Sequence, residues 1–362
     1  MLVLLTAICV AWGSAGTAQA SAPGDDASAA PATQKQDDPF AAAWSAAKLG
    51  RQGMRVHDPS RIVREGDRYY FFATGPGLRA YVSAPGDELD PSTFKQTGRV
   101  FTKPPAWITD VASDQKGYFW APDMLRGGDG QWWLYYSVSS FGKQTSAIAL
   151  VSSPMLDPEK AEWTDRGIVI RSRAGDPYNT IDPALFEDGG RLWMVFGSYW
   201  TGIKLVELDP ATGMLAGPEA EPIALARHQL EPAWNNPIEA AALYKHGGWY
   251  YLFVNWWLCC KGVESTYEIR VGRSREITGP YVDRNGTAMT ANGGTLVLCG
   301  TGRFVGPGHV GVLETEHGPL VSVHFYDAED QEKPGRPRLA VLPMSFDAED
   351  WPVLGAAVER DQ

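Results

Sequence analysis

The sequence predicts an all-β fold, a five-bladed β-propeller built as a single domain, on three observations. Five segments roughly 60 residues apart share one plan: a short polar or acidic start, an apolar stretch, a Gly-containing turn and an aromatic-rich strand. Their Trp, Tyr, Phe and Val runs favour strands, and Gly-Asp, Gly-Gly and His-Gly punctuate the turns. Helical periodicity of useful length is nearly absent. Four-stranded units of this length, repeated five times, describe blades packed around a central channel. A pair of β-sandwiches would need a mid-chain linker, and none is visible.

In chain order, Leu2 to Trp12 form an apolar run too short to span a membrane, followed by small residues up to Ala18-Gln19-Ala20. Residues 1–20 therefore read as a secretory signal peptide, although no Lys or Arg precedes the run. Residues 21–48 open rich in Ala, Ser, Pro and Asp and read as a flexible linker, which leaves 49–362 for the propeller. The five repeats begin at His57, Trp120, Ile181, Ile238 and Gly308. Their second strands register at Tyr69, Trp132, Leu192, Tyr250 and Leu320, giving intervals of 63, 60, 58 and 70 residues. No later apolar run reaches membrane-spanning length, so a secreted monomer, extracellular or periplasmic, without a membrane partner is expected.

Composition narrows the function. Among 362 residues, 32 are Lys or Arg and 43 are Asp or Glu, a net charge of −11. That balance, with no clustered basic stripe, argues against nucleic acid as a partner. The 14 Trp and 14 Tyr exceed what a core alone requires, and their flat faces suit sugar rings. Once Cys9 leaves with the signal peptide, Cys259, Cys260 and Cys299 remain, an odd count that excludes a full disulfide framework. The adjacent pair could form a vicinal disulfide or be two small buried hydrophobes.

Equivalent positions of successive blades gather around one axis. Counting back ten or eleven residues from the registered aromatics gives Asp58, Asp182, Glu239 and His309; the second repeat has Ala121 there, with Asp123 two residues on. Asp and Glu at strand starts often serve only as turn caps. Three carboxylates in register are harder to explain that way, because like charges in a partly desolvated site raise one another's pKa. One ionised and one protonated carboxyl flanking an acetal are the groups that glycoside hydrolysis needs. Trp120, Trp200, Trp256 and Trp257 are candidates for stacking on sugar near the rim.

The strings Val56-His57-Asp58-Pro59-Ser60, Tyr118-Phe119-Trp120-Ala121-Pro122-Asp123, Asn179-Thr180-Ile181-Asp182-Pro183 and Ile238-Glu239-Ala240 resemble the successive signatures of glycoside hydrolase family 43. Cys259 to Tyr267 and Gly306-Pro307-Gly308-His309 resemble its arabinanase branch. The resemblance implies inverting hydrolysis of α-1,5-linked arabinan, a plant cell-wall polysaccharide, by endo action. It gives Asp58 the general-base role and Glu239 the general-acid role, with Asp182 orienting Glu239 and raising its pKa. It further implies that His57, Asn179, Ser198 and Trp200 line the sugar subsite, to which the rim candidate Trp120 is added, and that Cys259 and Cys260 form a disulfide beside it. His309 would contact a calcium ion, mainly coordinated by water. An exo-acting α-L-arabinofuranosidase or β-xylosidase on the same scaffold is the near alternative, and a non-catalytic glycan-binding propeller the distant one. The sequence departs from the family pattern at Ala240-Ala241, after the acid, and at His324-Phe325-Tyr326-Asp327.

Overall fold

The structure is a computed structural model; it describes residues 38–217, 221–231 and 236–355. The signal peptide and most of the expected linker lie outside the described residues.

Five antiparallel sheets follow one another along the chain. The first comprises Val63–Glu65, Arg68–Ala73, Arg79–Val82 and Lys95–Arg99. The second comprises Tyr118–Arg126, Trp132–Val138, Ser146–Ser153 and Thr164–Ser172, with Gly75–Pro76 added from the first blade. The third runs through Ala184–Asp188, Arg191–Phe196, Ile203–Leu208 and Ile223–Ala226. The fourth runs through Ile238–His246, Trp249–Trp256, Glu268–Ser274 and Thr295–Leu298. The fifth holds Phe304–Leu313, Leu320–Asp327 and Arg336–Phe346. The registered aromatics fall at or one residue into each second strand, as the repeat predicts.

Packing explains the unbroken aromatic runs. Every residue of Trp132–Val138 is buried, as is all of Trp249–Trp256 after its first residue. Each such strand lies within a blade whose two faces are covered by neighbouring blades, so hydrophobic alternation is not required. The apolar clusters make this explicit. Phe72 packs with Tyr136 between blades 1 and 2, and Trp133 with Met194 between blades 2 and 3. Trp193 packs with Leu252 between blades 3 and 4, and Phe253 with Val323 between blades 4 and 5. Phe71 with Leu339 then joins blade 5 to blade 1 and closes the ring.

The boundary expected at residue 49 lies further toward the N-terminus. Residues 39–48, read as linker, belong to the folded unit that starts at Pro39. Ala41–Ala46 is a short helix whose Trp44 is 3 % exposed and stacks on Phe304, with ring centroids 4.4 Å apart. Lys48–Leu49 then pairs with Val341 and Ala340 in blade 5. Composition gave no warning, because Ala-rich sequence suits a helix as well as a linker. Pro352–Leu354 pairs further along the same strand, at Met344 to Phe346. Among the described residues, no helix is long and apolar enough to cross a membrane.

Candidate active site

Each blade has one residue in the left-handed conformation just before or within its first strand: Asp58 (φ 47°), Ala121 (φ 44°), Asp182 (φ 59°), Ala240 (φ 51°) and His309 (φ 63°). L-residues rarely adopt this region, and at five equivalent places it is part of the architecture. The true equivalent of Asp58 in blade 4 is therefore Ala240, and Glu239 sits one position earlier than the sequence register implies.

A side chain of the preceding blade clasps the amide of each left-handed residue. Thr74 Oγ1 accepts from Ala121 N (2.8 Å), Ser137 Oγ from Asp182 N (3.0 Å), Asn255 Oδ1 from His309 N (3.0 Å) and His324 Nδ1 from Asp58 N (3.2 Å). Blade 3 breaks the pattern. Its clasp position is Gly197, which has no side chain and φ 123°, a conformation glycine tolerates. Asp182 Oδ2 accepts the Ala240 amide instead, at 3.2 Å. The next residue, Ser198, donates to Glu239 Oε2 at 2.5 Å. The break thus joins Asp182, Ser198 and Glu239 into one group.

These residues face a cleft of about 1570 Å³ at one mouth of the channel. Small-ligand pockets span roughly 300–1,000 Å³, so the space suits an oligomer. Ten of the residues singled out from sequence line it: His57, Asp58, Trp120, Asn179, Asp182, Ser198, Trp200, Glu239, Cys259 and Cys260. Cys259 and Cys260 are joined as a vicinal disulfide. Asn179 is fixed by Ser146 Oγ, and Trp200 Nε1 donates to Gln144 Oε1. Phe141, 78 % exposed, adds an apolar face at the rim.

Four residues expected at the channel mouth or rim are not in the cleft wall. Trp256 is buried, stacked on His228 with centroids 3.6 Å apart, and is absent from the cleft wall. Trp257 is tied back through its Nε1 to Glu268 and does not line the cleft either. Asp123 is likewise absent from the wall; it accepts from the Arg61 guanidinium and from Leu185 N, bracing blades 1 to 3. His309 lies behind Asp58, its Nδ1 3.7 Å from Oδ1, outside the cleft lining.

The carboxyl groups are set to opposite states. Burial opposes ionisation of Asp58, but His57 outweighs it, with Nδ1 2.7 Å from Oδ2, and the pKa falls well below the usual carboxylate range. Thr74 Oγ1 also donates to Oδ2, at 2.6 Å. His309 and His324 add little positive charge, because burial lowers the pKa of both rings and keeps them neutral. Asp182 is pushed well up, by burial first and then by the charges of Glu239 and Asp58. Glu239 is also pushed up, by burial first; hydrogen bonds from Ser198 and Tyr267 oppose this, and Asp58 assists it. Burial thus leads, ahead of the like-charge repulsion that the sequence suggested. Asp182 and Glu239 are therefore both pushed toward the protonated form, across the site from an Asp58 pushed toward the ionised one.

Sequence reasoning missed Thr74, Tyr267, His324 and Tyr326 as parts of the site. Tyr267 Oη donates to Glu239 Oε1, and burial holds its pKa well above the ordinary value. A signal was present for two of them: Thr74 directly follows the apolar run of Arg68–Ala73, and His324 interrupts the largely apolar Leu320–Asp327.

Residues 53–352 match the family described as Glycosyl hydrolases family 43. The chain is 39 % identical to the extracellular exo-α-(1→5)-L-arabinofuranosidase ArbA of Cellvibrio japonicus, over 84 % of this chain and 87 % of that one. It is 38 % identical to the extracellular endo-α-(1→5)-L-arabinanase 1 of Bacillus subtilis, over 86 % and 91 %. The structure of Cellvibrio cellulosa α-L-arabinanase complexed with arabinohexaose superposes with a TM-score of 0.76 at 36 % identity, covering 84 % of this chain and 96 % of that one.

Proposed function

The chain belongs to glycosyl hydrolase family 43, in its arabinanase branch, and from that premise we propose that it is a secreted enzyme cleaving α-1,5-L-arabinofuranosidic bonds within arabinan, with inversion. The observation that carries this reading is the opposition of tendencies across one cleft: Asp58 pushed toward the ionised form, Glu239 and Asp182 toward the protonated form. In the proposed reaction, water attacks the anomeric carbon and passes a proton to Asp58. Glu239 protonates the departing O5 of the next sugar, so the bond breaks without an unprotonated alkoxide. Asp182 positions Glu239 through the Ala240 amide and keeps a second carboxyl beside it. Trp120, Trp200 and the Cys259–Cys260 disulfide form the sugar platform, with His57, Asn179 and Ser198 as polar contacts. Export relies on a leader at residues 1–20, in keeping with the extracellular relatives.

Calcium expected at His309 takes no part in this mechanism. Calcium prefers several oxygen donors, and His309 offers one imidazole. The described donor atoms that lie within 4.8 Å of one another belong to His57, Asp58 and His324, two imidazoles and one carboxylate. These are already engaged, His57 and His324 with Asp58 and the Asp58 carboxylate with Thr74. The donor set does not fit a protein-ligated calcium ion.

An exo-acting reading stands beside the endo one, because one relative of similar identity is named exo-acting. Digestion of linear α-1,5-arabinan tests both, with products sized over time and anomeric configuration followed by NMR. Medium-length oligomers at early times and an inverted anomeric centre are expected. Glu239→Gln should lower the rate about 10²–10⁴-fold. Full activity in that variant overturns the mechanism, and release of mono- or disaccharide alone assigns exo action.

A further inference from the structure

We infer that Tyr326, held by the Cys259–Cys260 loop, is a positioning residue for Asp58 and acts through His57. The inference rests on the general-base reading of Asp58. Polar contacts run in one direction along this chain of groups. The Cys260 amide donates to Tyr326 Oη at 2.7 Å, and Tyr326 Oη lies 2.8 Å from His57 Nε2. His57 Nδ1 then lies 2.7 Å from Asp58 Oδ2.

Polarity fixes the tautomer of His57. A bare Nδ1 lone pair that close to a carboxylate oxygen would be repulsive, so Nδ1 carries the hydrogen. Its N–H points off the line to the oxygen, and the contact is electrostatic more than a directed bond. Geometry at Nδ1 alone therefore holds the ring weakly. In the neutral ring Nε2 is then the acceptor and takes the Tyr326 O–H, while the Tyr326 oxygen accepts from the Cys260 amide. The partner of the remote ring nitrogen commonly sets tautomer and orientation in this way.

The loop is built to hold that amide in place. Cys260 is left-handed, φ 68°, a conformation that a residue with a Cβ rarely adopts. The bond to Cys259 ties it to its neighbour. Lys261 N–H bonds to Ser265 Oγ and Leu258 N–H to Thr266 Oγ1, pinning the loop from within. A Cβ at Gly335 would fall 2.7 Å from Val263 N, so the neighbouring blade-5 loop seats directly against this one. His324 completes the support, stacking on His57 with centroids 4.3 Å apart.

Tyr326→Phe should keep the fold and the melting temperature within a few degrees, and should lower kcat about 10-fold or more with a smaller change in KM. In ¹⁵N-histidine NMR spectra the His57 signals should move from the Nδ1–H pattern toward a tautomer mixture. Cys259→Ala/Cys260→Ala should shift the same signals and lower kcat, and adding Tyr326→Phe should bring less than the product of the two effects. Unchanged kcat and unchanged His57 signals in Tyr326→Phe overturn the inference. A Cys259→Ala/Cys260→Ala variant that loses kcat with His57 unmoved overturns the role given to the loop. Asp58→Asn separates the two levels: retained activity there removes the general-base reading, whereas an inactive Asp58→Asn beside a fully active Tyr326→Phe removes only the inference drawn here.

Discussion

Glu239 and Asp182 are each less than one-tenth exposed, in a place where a negative charge is poorly solvated. Their raised pKa values make the folded state bind protons that the unfolded chain releases. The sign follows from linkage: between the ordinary carboxyl pKa and the raised folded one, the native state holds more protons, so stability falls as pH rises through that window. Asp58 has the opposite sign, and its contribution is lost as pH falls. Glu239→Gln should therefore melt at the same temperature as the parent in acid and at a higher one in neutral and alkaline buffer, each kcal/mol of relief raising Tm by roughly 2–4 °C. Calorimetry across pH reads this directly. A gap that does not widen with pH would mean Glu239 is not pushed upward. All ten cleft residues were legible as residues because their motifs are local strings. Tyr267 and Tyr326 were not, since each gains its meaning from a partner in another strand or blade, Glu239 in one case and His57 in the other.

At the scale of the strand, the clasps explain why the blades keep their angular register. Asn255 is fully buried and makes three hydrogen bonds: it accepts from His309 N and donates to the Glu268 and Pro307 carbonyls. Removing it leaves buried backbone groups unpaired, each costing about 1–3 kcal/mol. Asn255→Ala should thus lose at least about 2 kcal/mol in urea unfolding. Ser198 occupies the place beside the missing clasp of blade 3 and bonds a side chain instead of a backbone amide. Ser198→Ala should therefore slow hydrolysis while shifting stability by less than about 1 kcal/mol, the usual yield of one intramolecular hydrogen bond. Equal stability losses in the two variants would remove the distinction between clasp and site. The aromatic periodicity located every second strand, because a blade interior is filled mainly by apolar side chains. It could not show the one-residue offset at Glu239, since Glu239 and Ala240 are equally compatible with a strand start, and only the backbone turn decides which of them is left-handed.

At the scale of the whole molecule, closing the ring is the structural problem, because the last blade must be completed by chain from elsewhere. Blade 5 recruits both neighbouring segments along Arg336–Phe346: Lys48–Leu49 at one end and Pro352–Leu354 at the other. The helix Ala41–Ala46 locks the first of these in place. Trp44 stacks on Phe304 and meets Phe325 edge-on, and its Nε1 donates to the Cys299 carbonyl at 2.9 Å. Ala43 fits against Gly355, where a Cβ would meet its Cα at 2.1 Å, so the segment before the first strand and the one after the last are in contact. Residues 39–48 thus behave as part of the fold, contrary to the linker that their composition suggested. Losing a buried Trp alone costs about 3–5 kcal/mol. Two versions of the chain distinguish the readings: one beginning at Pro39 should melt like the full chain, while one beginning at Arg51 should melt at least about 6 °C lower, at roughly 2 °C per kcal/mol. The shorter version should also show faster hydrogen exchange in Leu320–Asp327 and Arg336–Phe346 than in the strands of blade 2, because local opening starts where contacts have been removed. Equal melting of the two versions would return residues 39–48 to the linker.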